Sequence, residues 1–146
     1  MEKLIFTAQI AATLFMTGVI WVVQLAQYPL FSFVGTEKFT DYHDAYRFRI
    51  TWIVAPAMLV ELVTAGLLIF FPPPEIDPKI LWAGFALVLV NWASTFFLQV
   101  PLHERLAAGF DPAAHRALVR TNRVRTAGWS LRGLLMIWIL WQTLRF

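Results

Sequence analysis

Cysteine is absent from the 146 residues. Its absence excludes disulfides, thiolate metal sites and thiol nucleophiles, and leaves the redox compartment unread. Charge is scarce too, with 14% charged residues against 59% hydrophobic ones. No Asp, Glu, Lys or Arg lies between Lys3 and Glu37, or between Lys79 and Glu104. Each gap exceeds the roughly 20 residues a helix needs to cross a bilayer. A soluble domain of this length could not hide so much apolar surface in one core, with seven tryptophans and thirteen phenylalanines to cover. The chain reads as an integral membrane protein formed from a single domain, residues 1–146.

Its pI near 9.7 does not call for nucleic acid, and none is expected. The positive charge borders hydrocarbon, so anionic lipid headgroups are the simpler partner. The opening MEKLIFTAQIAATLFMTGVIWVV has too long an apolar run and too weakly basic a start for a cleaved signal, and reads as a retained first helix.

The expected fold is all-α, a polytopic bundle of four transmembrane helices at about 4–27, 37–71, 80–108 and 112–144. Helix 1 is expected to end near Pro29, and helix 2 at Pro72, Pro73 and Pro74, which remove backbone donors. Asp111 before Pro112 is a strong helix start. The short PPPEIDP turn makes helices 2 and 3 antiparallel neighbours. The other two connections are long and themselves helical, as the recurrence of Phe39, Tyr42, Tyr46, Ile50 and Ile53 indicates. They carry Lys38, Arg47, Arg49, Arg105, Arg116, Arg120, Arg123 and Arg125, against Lys3, Lys79 and Arg145 on the opposite side. The positive-inside rule then places the connections in the cytoplasm and both termini outside, in what reads as a bacterial inner membrane.

The two connections resemble each other. At an offset of 72, Gln27, Pro29, Leu30, His43 and Ala45 align with Gln99, Pro101, Leu102, His115 and Ala117, and RFR (47–49) meets RVR (123–125) after a further four-residue shift. Two parallel-repeat hairpins with helical cytoplasmic connections would produce this pattern. So would the shared composition of helix–membrane junctions.

Polar residues inside the crossings are informative, because hydrocarbon penalises them unless they face protein or water. Helical spacing collects Gln9, Thr13, Thr17, Ile20, Gln24 and Gln27 on one face of helix 1. It collects Ile50, Ala57, Glu61 and Thr64 on helix 2, and Gly84, Val88, Asn91, Ser94, Thr95 and Leu98 on helix 3. Helix 4 presents Asn122, Arg125, Trp129, Arg132 and Met136. By helical rise Glu61 lies near the bilayer midplane within reach of Arg132, so the two are expected to pair, with Asn91 hydrogen-bonded beside them. They are the candidate catalytic residues, with Glu61 as general acid/base or proton carrier. Arg49, Asn91, Asn122, Arg125, Trp129, Tyr46 and Gln24 are candidate ligand-binding residues around a cytoplasmic mouth suited to an amphiphile with an anionic or carbonyl head. Most threonines and glutamines of these stripes need be no more than interhelical glue.

His43, His103 and His115 all belong to the connections and form a candidate metal site, although their spacing matches no established ligand motif. Haem is disfavoured, since no histidine lies within a crossing. The cofactor is otherwise unassigned. With Pro29 after helix 1 and polar residues at the mouth, the four-crossing layout resembles small bacterial membrane proteins of the anthrone-oxygenase-like type. Some of these are linked to oxidation of polycyclic aromatic substrates. The resemblance is one of shape and assigns no residue a role. Three function classes fit these features: a bundle that binds, or also transforms, a small lipophilic molecule; a non-catalytic subunit of a membrane complex or homo-oligomer; and a small proton-coupled transporter.

Overall fold

The computed structural model describes residues 2–143, which are helical almost throughout and include no strand. Helix α1 (Glu2–Val22) continues through a π-helical turn (Val23–Gln27) and a short α2 (Tyr28–Leu30) into 3-10 turns at Phe31–Phe33 and Thr36–Lys38. Helix α3 spans Phe39–Phe70 and stops before the three prolines, as expected. Helix α4 (Pro78–Ser94) runs through a second π-helical turn (Thr95–Gln99) into α5 (Val100–Ala107), and α6 spans Pro112–Thr143. The expected end of helix 4 at Leu144, and Arg145, lie outside the described residues.

Local chemistry sets the starts. Asp77 accepts the Lys79 amide at 2.8 Å ahead of α4. Asp111 accepts the Ala113 and Ala114 amides at 2.8 and 3.1 Å ahead of α6, with proline at the first helical position in each case. Between α5 and α6 the chain reverses at Gly109, whose φ of 136° a side chain would resist.

α3 packs on α1 and α4, and α6 on α1, α4 and α5, which closes a ring in chain order. Chain direction alternates around it. Thr13, Glu61, Gly84 and Arg132 meet at one level, and Tyr28, His43, His103 and His115 at another. Two apolar clusters fill the interior. One, around Met16, Phe31, Phe39, Met58 and Leu118, lies toward the connections. The other, around Leu68, Leu81, Met136 and Ile139, lies toward the α3–α4 turn.

Helix 1 loses its α-helical form after Leu30, close to the expected Pro29. The π turn absorbs the proline: the amide of Tyr28 reaches back five residues to the carbonyl of Val23, relieving the crowding a proline imposes on the preceding turn. Pro101 is treated the same way, with Val100 bonding to the carbonyl of Thr95. The two π turns are themselves 72 residues apart. Each adds one residue to the helical register, and this corrects the expected stripes. Gln99 is 1% exposed while Leu98, expected inside, is 37% exposed. In α1–α2 the buried residue after Gln24 is Tyr28, not Gln27.

The outside of the ring is apolar. Trp52, Phe70, Trp82, Phe97 and Trp141 are all more than half exposed. Three continuous helical stretches, Lys3–Phe33, Thr36–Phe70 and Pro78–Ala107, are long and apolar enough to cross a membrane. α6 has the length but not the apolarity, because arginines interrupt it. Its buried positions include Asn122, Arg125 and Arg132.

Candidate functional site

Two polar centres lie inside the ring. The first is built on Glu61, which is 0% exposed, and Arg132, which is 1% exposed. Arg132 Nε donates to Glu61 Oε1 at 2.8 Å. Thr13 donates to the same oxygen at 2.8 Å, and Trp129 Nε1 donates to Oε2 at 2.9 Å. Gln9 Nε2 supports Thr13 at 2.8 Å, and Thr64 donates to Gln9 Oε1 at 2.7 Å. Arg132 Nη1 donates to the Gly84 carbonyl. The packing there is close: a Cβ on Gly84 would sit 3.1 Å from Nη1, and the guanidinium would have to yield by a few tenths of an ångström.

The expected ion pair is therefore formed, and it is closely satisfied. Space is lacking beside it: the void that reaches Arg132 has only about 10 Å³. Asn91 is at this level and fully buried, but the structure corrects its expected role. Neither amide atom has a protein partner, since the guanidinium turns to the Gly84 carbonyl instead. Asn91 packs against Gly128, where any Cβ would collide with its Oδ1.

The second centre lies toward the connections, around a partly open cavity of about 180 Å³. Both π turns contribute to its wall, through Val23 and Tyr28 on one side and Thr95, Gln99 and Val100 on the other. Met16, Ile20, Val54 and Met58 form an aliphatic part, and Tyr28, Tyr46, Arg47, His103 and Arg125 a polar part. Arg125 is 6% exposed and lies over the Trp129 ring at 5.3 Å, with its Nε lacking any protein partner. That Nε is itself fully covered, so what Arg125 brings to the cavity wall is a buried positive charge.

The other residues singled out in the sequence take varied places. Tyr46 and Arg125 line the cavity, and Tyr46 donates to Gln27 at 3.0 Å. Trp129 links the centres, with its ring on Arg125 and its N–H on Glu61. Gln24 and Asn122 form a clasp between α1 and α6: Asn122 Nδ2 donates to Gln24 Oε1 at 3.0 Å, and Gln24 Nε2 to the Val119 carbonyl at 3.3 Å. Arg49, expected to point inward, is exposed and lines a separate outer groove with Tyr42 and Ile53. Its place at the cavity is taken by Arg47, which shares a helical face with His43, Ile50 and Val54. That spacing was the signal available in the sequence.

The histidines do not converge as a triad. His43 Nε2 and His103 Nδ1 are 3.0 Å apart with the rings stacked, and His103 Nε2 is 2.9 Å from Tyr28 Oη. His115 Nε2 instead donates to the Tyr28 carbonyl at 2.8 Å. Among the described residues no group of three His, Asp or Glu side chains is placed to hold a metal.

Comparison of the chain with protein-family models, with curated proteins and with solved structures finds no match. No relative supplies a role for either centre, and the functional reading rests on their geometry.

Proposed function

We propose that this protein is an integral membrane protein of four crossings that binds a small amphiphilic molecule in the cavity between its π turns. The cytoplasmic side is the one that carries the connections. α6 completes the bundle because Arg125 and Arg132 are buried in its interior rather than facing lipid, and the apolar outer surface suits acyl chains.

The observation that carries this reading is the buried, incompletely partnered Arg125 at the edge of a cavity that is aliphatic on one side and polar on the other. An apolar cavity of about 150 Å³ accommodates benzene, so this one suits a molecule of single-ring size. Its head would be an anionic or carbonyl oxygen held by Arg125 with Tyr46 and Tyr28, and its body would lie against Met16, Ile20 and Met58. Glu61 and Arg132 then act from behind, fixing Trp129 and through it the plane against which Arg125 rests.

Calorimetric titration of the purified protein with benzoate and with 4-nitrophenol tests the reading. Binding is expected in the unaltered chain, and a loss of at least tenfold in affinity for Arg125→Leu, the equivalent of about 1.4 kcal/mol. Met58→Trp, which fills the aliphatic part, is expected to abolish binding while the protein stays folded. Equal binding by all three proteins would overturn the proposal.

A further inference from the structure

The polar end of the cavity continues into the protein as a line of contacts that binding alone does not require. Tyr28 Oη meets His103 Nε2 at 2.9 Å, and His103 Nδ1 meets His43 Nε2 at 3.0 Å. Tyr28 and His103 line the cavity. His43 stands behind them, 0% exposed, stacked on Phe39 and edge-on to Phe31. Its far nitrogen, Nδ1, is buried and has no protein partner.

Two imidazole nitrogens facing each other at this distance share one proton between them. The line therefore has two orders. In one, Tyr28 donates to His103 Nε2, and His103 Nδ1–H donates to His43. In the other every hydrogen bond is reversed, and the Tyr28 hydroxyl points toward the cavity. An oxygen in the cavity is what would favour the second order.

We propose that Tyr28, His103 and His43 form a proton relay for the molecule bound in the cavity, and that this molecule is a ring-sized oxygen acid of the phenol class. The inference rests on the cavity reading above. The ligand's O–H proton passes to Tyr28 Oη as the Tyr28 proton passes to His103 Nε2 and the His103 Nδ1 proton to His43 Nε2. Three protons each move one place, and the net transfer is one proton from the ligand to His43. The ligand becomes an oxyanion beside Arg125, Tyr28 and His103 end neutral, and His43 becomes an imidazolium. No electron is transferred. The charged groups around the line are Arg125, from α6, toward Tyr28 and His103; Arg47, from α3, toward both His103 and His43; and Asp44, from α3, toward His43. Arg125, and Arg47 at the cavity wall, favour the oxyanion; burial and then Arg47 disfavour the His43 imidazolium, and Asp44 opposes them.

4-Nitrophenol separates the possibilities, because its visible absorbance distinguishes phenol from phenolate. Below the probe's own ionisation pH, the unaltered protein is expected to bind it as phenolate. Calorimetry in buffers of different ionisation heat should then show the proton retained by the protein. His43→Phe and His43→Gln lie outside the cavity wall and are expected to keep binding but lose the phenolate signal. His43→Gln preserves a hydrogen-bonding side chain and so controls for packing. Phenolate binding that persists with retained protons in both variants overturns the relay and leaves the cavity reading intact. If the unaltered protein fails to bind the probe while folded, the cavity reading falls, and the relay with it.

Discussion

The two polar centres share a tryptophan and differ in almost everything else. Around Glu61 each carboxylate oxygen has a donor, the guanidinium is divided between a carboxylate and a carbonyl, and almost no space remains. Around Arg125 there is room for a ring-sized molecule and a guanidinium nitrogen without an acceptor. Buried ionisable groups usually arouse the same suspicion of function wherever they occur. On the proposed reading, burial and charge alone do not locate a ligand site. Unmet hydrogen-bonding capacity beside open volume is the sharper criterion.

The closed centre should respond most strongly to mutation. Arg132→Met leaves the Glu61 carboxylate buried without its countercharge and is expected to destabilise the bundle by about 3–5 kcal/mol. Replacing both residues by methionine should recover most of that loss, as measured by denaturation in detergent. If the single variant melts like the parent, the two centres differ less than their geometry implies. Gly128→Ala should be milder, about 1–3 kcal/mol, from overpacking against Asn91. Asn91→Ala in the same chain should relieve it, because that amide makes no protein hydrogen bond that could be lost.

The smallest effect belongs to the connection end. The Asp111 carboxyl is held below the usual carboxylate range by the Ala114 amide, then by the Arg105 side chain and the Ala113 amide. Because the folded value is depressed, the contribution is present above the unfolded pKa and lost as pH falls through the folded one. Asp111→Asn should therefore be slightly less stable than the parent at neutral pH and converge with it in acid. A constant gap in melting temperature across that range would remove the carboxylate from the account.

Much of the closed centre could be read directly from spacing. Glu61, Arg132, Trp129, Thr13 and Gln9 all fall on helical faces that the 3.6-residue period selects, and burial leaves such polar residues few alternatives to facing one another. The cavity was less legible, for two physical reasons. Each π turn inserts a residue and rotates the helix beyond it, so Tyr28 and Gln99 move inside where Gln27 and Leu98 were expected. Arg49 was favoured over Arg47 by its nearness to the membrane entrance, although the phase of His43, Ile50 and Val54 pointed to Arg47. The pairing of His103 with Tyr28 and His43 depends on that same rotation, and no spacing rule along a single helix reveals it. The two π turns are separated by the same 72 residues as the aligned stretches.

The composition of α6 bears on how such a protein would be assembled. In a chain that inserts as proposed, the three apolar stretches are synthesised first and can each enter lipid unaided, while α6 emerges last with its arginines uncompensated. Glu61 must then wait in the membrane for a partner made about seventy residues later. Polypeptides cut short before α6 would strand that carboxylate and become natural targets for membrane quality-control proteases.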